Sequence, residues 1–106
     1  MIRSIVTLPP AARRGEVIEI RALVSHPMET GHRSDGAGGV VPRNILRRFT
    51  CHYGDALVFE ATLHPAVAAN PVLTFHTVAT ESATLRFTWE GDDGTRHERM
   101  APLAVS

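Results

Sequence analysis

In SATLRFTWE, residues 82–90, Leu85, Phe87 and Trp89 alternate with Thr84, Arg86, Thr88 and Glu90. Successive side chains leave a pleated backbone on opposite sides, so a period of two marks a strand with one buried and one wet face. The period returns in EVIEIRALV, where Ile18, Ile20, Ala22 and Val24 oppose Glu19 and Arg21. In ALVFEATLH it sets Leu57, Phe59, Ala61 and Leu63 against Glu60 and Thr62. NILRRFTCHY aligns Ile45, Phe49, Cys51 and Tyr53 but is interrupted at Arg47. Weaker runs at IRSIVTL, VLTFHTV and TRHERMAPLAV bring the predicted strands to seven. Nothing keeps helical periodicity through three turns. HPAVAANP, bracketed by Pro65 and Pro71, has room for one helical turn at most.

Turn chemistry separates these runs: Pro9-Pro10, a long loop over 26–42, Tyr53-Gly54-Asp55, His64-Pro65, Asn70-Pro71 and the hairpin signal EGDDGT. Seven strands in 106 residues predict one immunoglobulin-like antiparallel β-sandwich domain spanning 1–106. Trp89, Phe49, Phe59, Phe75 and Phe87 are its expected core aromatics.

Several chemistries fall away on composition. The eleven basic residues balance eleven acidic ones, and all eleven are arginine. A neutral chain has no net field for nucleic acid or an anionic membrane, and a chain without lysine has no Walker lysine and no Schiff base. Arg13-Arg14 and Arg47-Arg48 read as solvated strand faces, without flanking aromatics on which bases could stack. No apolar run approaches the ~20 residues of a membrane span. The start, MIRSIVTLPPAARRGE, is too proline-rich and its apolar part too short for a signal peptide, which taken alone says cytoplasm. Cys51 shares parity with Phe49 and Tyr53, so a buried, inert thiol is expected, and its neighbour His52 points to the other face. Ser25 and His26 are likewise adjacent, with no acid at an obvious orienting position, so no nucleophile and base are supported by spacing and no enzyme is expected.

SHPMETGHRSDGAGG, residues 25–39, is the unusual stretch. Its glycines lead into Pro42 and a strand rather than a helix, so the phosphate-loop reading fails on context and the glycines read as positive-φ turn residues. His26 and Met28 share a side of an extended segment and His32 could return across the turn. That trio is the one candidate metal set, imidazole plus thioether suiting copper. The plainer alternative has His26 closing a strand while Met28 packs or meets a partner. An adaptable, partly apolar loop and the HPAVAANP corner, in a fold with open strand edges, favour a surface for another protein. No cofactor is expected.

GEVIEIRALVSHPMETGHR, VPRNILRRFTCHYG, VFEATLHPAVAANP and FTWEGDDG together resemble the SoxZ family of the bacterial sulfur-oxidising system, over nearly the whole chain from about Val6. Val72 stands where a tyrosine commonly follows ANP in that family, and Gly54-Asp55 where Asn-Gly is usual. The resemblance implies an immunoglobulin-like sandwich that forms a heterodimer with a SoxY-like protein. The partner's C-terminal cysteine arm carries sulfur derived from thiosulfate, and the pair docks transiently with other Sox enzymes. Ser25, His26, Pro27, Met28, Glu29, Thr30, Gly31 and Arg33, with Ala69, Asn70 and Pro71, become candidate partner-binding residues. The resemblance also moves the expected location to the periplasm, reached together with a signal-bearing partner. With Cys51 in mid-strand and no Gly-Cys arm after APLAVS, such a chain must borrow its thiol. A partner face left uncovered in isolation is a site for self-association.

Overall fold

The structure, a computed structural model, describes residues 3–64, 67 and 69–106. Eight strands follow in order: β1 (Ser4–Thr7), β2 (Ala11–Ala12), β3 (Val17–Val24), β4 (Leu46–Tyr53), β5 (Ala56–Thr62), β6 (Val72–Val78), β7 (Ala83–Gly91) and β8 (Arg96–Val105). They form two sheets, ordered β1-β3-β6 and β2-β8-β7-β4-β5. No helix occurs among the described residues. Pro65, Ala66 and Ala68 lie outside them, so the expected helical turn in HPAVAANP falls outside the described residues apart from a bond from the Val67 N–H to the His64 carbonyl.

All seven predicted strands are present, and the eighth, β2, is a two-residue edge. It pairs parallel to β8 whereas every other pairing is antiparallel. Two alanines carry no alternation, so periodicity could not find this strand. The expected hairpin at EGDDGT joins β7 to β8: Gly91 N–H donates to the Thr95 carbonyl, and Gly94 takes φ +81.

Alternation sets the buried faces. Ile18, Ile20, Ala22 and Val24 of β3 meet Leu85, Phe87 and Trp89 of β7 in one core cluster. Phe49 of β4 lies at its centre, its ring 5.1 Å from Trp89, 6.3 Å from Phe87, 6.0 Å from Phe75 and 6.1 Å from Phe59. Phe59 and Phe75 stack at 4.2 Å and tie β5 of one sheet to β6 of the other. Such pairs contribute roughly 0.5–1.5 kcal/mol each beyond the apolar area they bury.

Two bulges correct the predicted parity. The β4–β7 register slips between Leu46 and Arg48, leaving Arg47 as the extra residue. The arginine that interrupts the pattern turns out to solvent there, and Leu46 and Phe49 both face inward. The β4–β5 register slips beside Cys51, with Val58 unmatched. Leu57, expected inside with Phe59, therefore lies opposite His52 on the outer face and is exposed. One extra residue reverses alternation for everything beyond it.

Tyr53 ends β4 with its ring buried and its hydroxyl at the turn before β7. That hydroxyl donates to the Glu81 carbonyl and accepts from the Thr80 and Glu81 N–H groups, both at 3.2 Å. Tyr53→Phe leaves these backbone groups without their partner. The expected loss is about 1–3 kcal/mol of unfolding free energy by urea titration followed at Trp89, with an unchanged slope.

Candidate partner-binding corner

The 25–31 segment leaves β3 and meets the 69–71 turn that leads into β6. Ser25 donates its N–H to the Arg3 carbonyl at 2.7 Å. The next residue is held on both sides by one asparagine: His26 N–H donates to Asn70 Oδ1 at 2.9 Å, and Asn70 N–H donates to the His26 carbonyl at 2.7 Å. Asn70 reaches this position with φ 53, a left-handed conformation that asparagine accepts more readily than most residues. Pro71 is buried, and its carbonyl accepts from Val24 N–H at 3.3 Å. The two blocks of the sequence thus form a single clasp.

The His26 ring is 7% exposed, and its Nδ1 accepts the Met28 N–H at 3.0 Å. Accepting at Nδ1 places the neutral ring's proton on Nε2. Burial pushes the imidazole pKa down, and the nearby Asp93 carboxylate offsets this only in part. Met28 turns at φ 53, buries its side chain and accepts the Leu46 N–H on Sδ at 3.3 Å. His26 Nδ1 and the Met28 thioether are therefore engaged with backbone donors, while His32 is exposed on the loop. Among the described residues no three His, Cys, Asp or Glu side chains gather to hold a metal ion.

Beyond Met28 the loop returns as a ladder. Glu29 and Asn44 exchange backbone hydrogen bonds at 2.9 and 2.8 Å. Glu29 also binds the Arg33 guanidinium, an exposed pair that contributes little to stability. Thr30 is half-buried. Gly31 takes φ +89, and a Cβ there would meet Arg43 Cβ at 3.1 Å, so the position needs glycine for its backbone and its space. At the tip Asp35 accepts the Ala37 and Gly39 N–H groups at 2.8 and 3.1 Å, and Gly36 and Gly38 have positive φ. This is the turn that the glycine run led us to expect.

Of the candidate residues, Ser25, Pro27, Arg33, Ala69 and Asn70 reach the surface. His26, Met28 and Pro71 are buried supports. Ser25, His26 and Pro27 border an open cleft of about 750 Å³ whose other wall includes Asn44, Asp93, Arg96 and His97. The sequence offered no sign of this second wall, because Asp93, Arg96 and His97 read simply as hairpin and Asn44 as the start of a strand. Nor did it reveal Asp92, which accepts from Arg43 Nε at 2.8 Å and Ile45 N–H at 3.2 Å and so fastens the loop's return to the β7–β8 turn. These bonds hold the Asp92 carboxyl below the usual carboxylate range.

The clasp can be tested at each of its two partners. Asn70→Ala removes the Oδ1 acceptor of the His26 N–H, leaves the backbone bond from its own N–H, and places a Cβ-bearing residue without a local side-chain hydrogen bond at positive φ. It should cost about 1–3 kcal/mol in urea unfolding, and Asn70→Gly less, because glycine keeps the conformation. The His26 pKa is depressed in the fold, so the unfolded chain binds the proton more readily. The stability held in the neutral ring is complete above the ordinary imidazole range and is lost as pH falls through it. In His26→Asn the amide oxygen replaces Nδ1 without titrating. Between about pH 7.5 and about pH 5 the wild-type melting temperature should fall further than the variant's.

Known structures share this architecture. The superoxide reductase (neelaredoxin) of Ignicoccus hospitalis matches with TM-score 0.74 and 14% identity, covering 97% of this chain and 80% of that one. The sulfur carrier protein SoxY of Chlorobium limicola f thiosulfatophilum matches with TM-score 0.68 and 11% identity, covering 97% and 78%. At those identities the likeness is one of fold. Curated protein sequences give no match. The family model of the sulphur oxidation protein SoxZ spans residues 5–102, and on that match the chain belongs to the SoxZ family.

Proposed function

We propose that this chain is the non-catalytic subunit of a periplasmic sulfur carrier, paired one to one with a SoxY-like protein. That partner's C-terminal cysteine holds the sulfur covalently. The observation that carries this reading is the place of Cys51. It lies in mid-β4, paired on one side with Phe59 and on the other with Phe87, and is wholly buried. Burial pushes its thiol pKa up to about 12. Near neutrality the thiolate fraction is then on the order of one in 10⁵, and a thiol reacts with sulfur electrophiles as thiolate. A member of a sulfur-oxidation family whose one thiol is closed in this way works through a thiol on another chain.

The exposed residues of the corner, Ser25, Pro27, Arg33, Ala69 and Asn70, offer that partner a shaped surface. Buried His26, Met28 and Pro71 fix its form, as pre-organised contact surfaces require. The partner and the enzymes it serves would share this end of the sandwich. The fold likeness to a SoxY fits a complex of two β-sandwiches.

Coexpression with the SoxY-like protein, followed by intact-mass analysis after exposure to thiosulfate and the Sox enzymes, tests the reading. The expected result is a one-to-one complex with sulfur mass on the partner alone, unchanged in Cys51→Ala. Removing the partner's export signal should keep both chains in the cytoplasm. A sulfur adduct on Cys51, or thiosulfate turnover by this chain alone, would overturn it.

A further inference from the structure

We propose that the outer face of the three-stranded sheet is a self-complementary surface that takes a second copy of this chain, packed face to face with its strands antiparallel. The inference does not rest on the carrier reading.

Exposed apolar side chains gather on this face. Ile5 (60% exposed), Val17 (63%), Val72 (51%) and Val78 (46%) all point outward from it. Strand register arranges them in two rows. Ile5, Leu23 and Val72 lie side by side across β1, β3 and β6 at one end, and Val17 lies beside Val78 at the other. Between them run two polar rows: Arg21 with Thr7 and Thr74, and Glu19 with His76. The outward residues of β3 therefore read, in order, apolar, acid, base, apolar.

The five-stranded sheet's outer face differs. Its charges pair within the face, Arg48 with Glu60 at 3.0 Å and Arg96 with Glu98 at 3.2 Å. Arg21, at the centre of the smaller sheet, makes no ion pair or side-chain hydrogen bond among the described residues. Among the described residues Glu19 approaches only the His76 ring, at 3.8 Å.

Charge decides which occupant and orientation fit. A two-fold axis in the plane of the face and across the strands reverses the second copy's β3. Arg21 then meets Glu19 of the other copy twice over, Leu23 meets Val17, and Val72 meets Val78. Sheets pack face to face in this nearly aligned way, about 10 Å apart. With the axis along the strands, Arg21 would face Arg21 and Glu19 would face Glu19, so charge excludes that arrangement. The face is roughly 20 Å by 14 Å from strand geometry, about 300 Å² per copy against the ~800 Å² per partner of a standard stable interface, so the pairing is weak and reversible.

Sedimentation velocity of the full chain up to about 1 mM tests the proposal. The wild type should pass reversibly from monomer to dimer. Arg21→Glu sets acid against acid, the new carboxylate facing Glu19 of the other copy, and should weaken the dimer at least about tenfold. The double exchange Glu19→Arg with Arg21→Glu restores opposite charges and should restore the dimer. As a readout independent of charge, Val17→Cys combined with Leu23→Cys should give an intermolecular disulfide dimer on mild oxidation, whereas either substitution alone should not. Native-like Trp89 fluorescence establishes that each variant is folded. A wild type that stays monomeric throughout, or an Arg21→Glu protein that dimerises as well as wild type, overturns the proposal. So does a face that pairs only with a SoxY-like protein, seen as a monomeric wild type whose mixed complex is lost in Arg21→Glu. The sulfur adduct on the partner is measured separately, so either reading can fail while the other stands.

Discussion

Phe49 is the residue around which the two sheets close. Its ring touches Trp89 and Phe87 on β7, Phe59 on β5 and Phe75 on β6 of the opposite sheet. A 106-residue sandwich has one core, and a ring at its centre fixes the spacing at which every inward side chain must fit. β4 can supply that ring only because the Arg47 bulge returns the strand to inward parity after two arginines. The same strand then carries Cys51 into the core and Tyr53 to the turn that leads into β7. The buried thiol is thus a consequence of the strand that builds the core.

The fold was legible wherever alternation ran unbroken. β3 keeps one parity from end to end, and on β7 Leu85, Phe87 and Trp89 are buried as predicted, although Thr88, expected on the wet face, is buried as well between the neighbouring strands. Legibility failed where a backbone irregularity replaced a side-chain signal. Val58 carries no mark of the bulge that turns Leu57 outward, since an apolar residue suits either face until the register is known. β2, at two alanines, is defined only by its hydrogen bonds to β8. The sequence announces apolar demand well and hydrogen-bond register poorly, because only the former is written in residue type.

At the corner the pattern differs. SHPM and ANP stood out as unusual residues, and the structure gives several of them structural work. Asn70 clasps the His26 backbone, His26 Nδ1 caps the Met28 N–H, and Met28 Sδ takes the Leu46 N–H. Each bond satisfies a backbone group where the chain leaves its sheet, and such groups are costly to bury unpaired. The histidine and the methionine that suggested a metal set are explained by this simpler demand. The far wall of the cleft was hidden because Asp92, Asp93 and His97 act through tertiary contacts with residues some fifty positions away or more. Spacing along the chain holds no trace of these contacts.

A buried thiol, a rigid corner and an arginine left without an ion pair among the described residues of a flat face are the features on which the proposed roles in recognition rest. The chain's charge sums to zero, yet the two outer faces distribute charge differently. On the larger sheet acids and bases answer one another, which costs little in water and invites nothing. On the smaller sheet Arg21 and Glu19 stand two residues apart on one strand, side by side rather than paired, with apolar rows beyond them. A surface of that kind gains by meeting its own inverse, and a two-fold axis supplies the inverse without any further sequence. The corner cannot serve in the same way. It is concave, built from two unlike loops, and carries no such inversion, which is why the proposed SoxY-like partner is assigned to it. Assembly with itself and assembly with another protein can therefore occupy separate parts of one small sandwich.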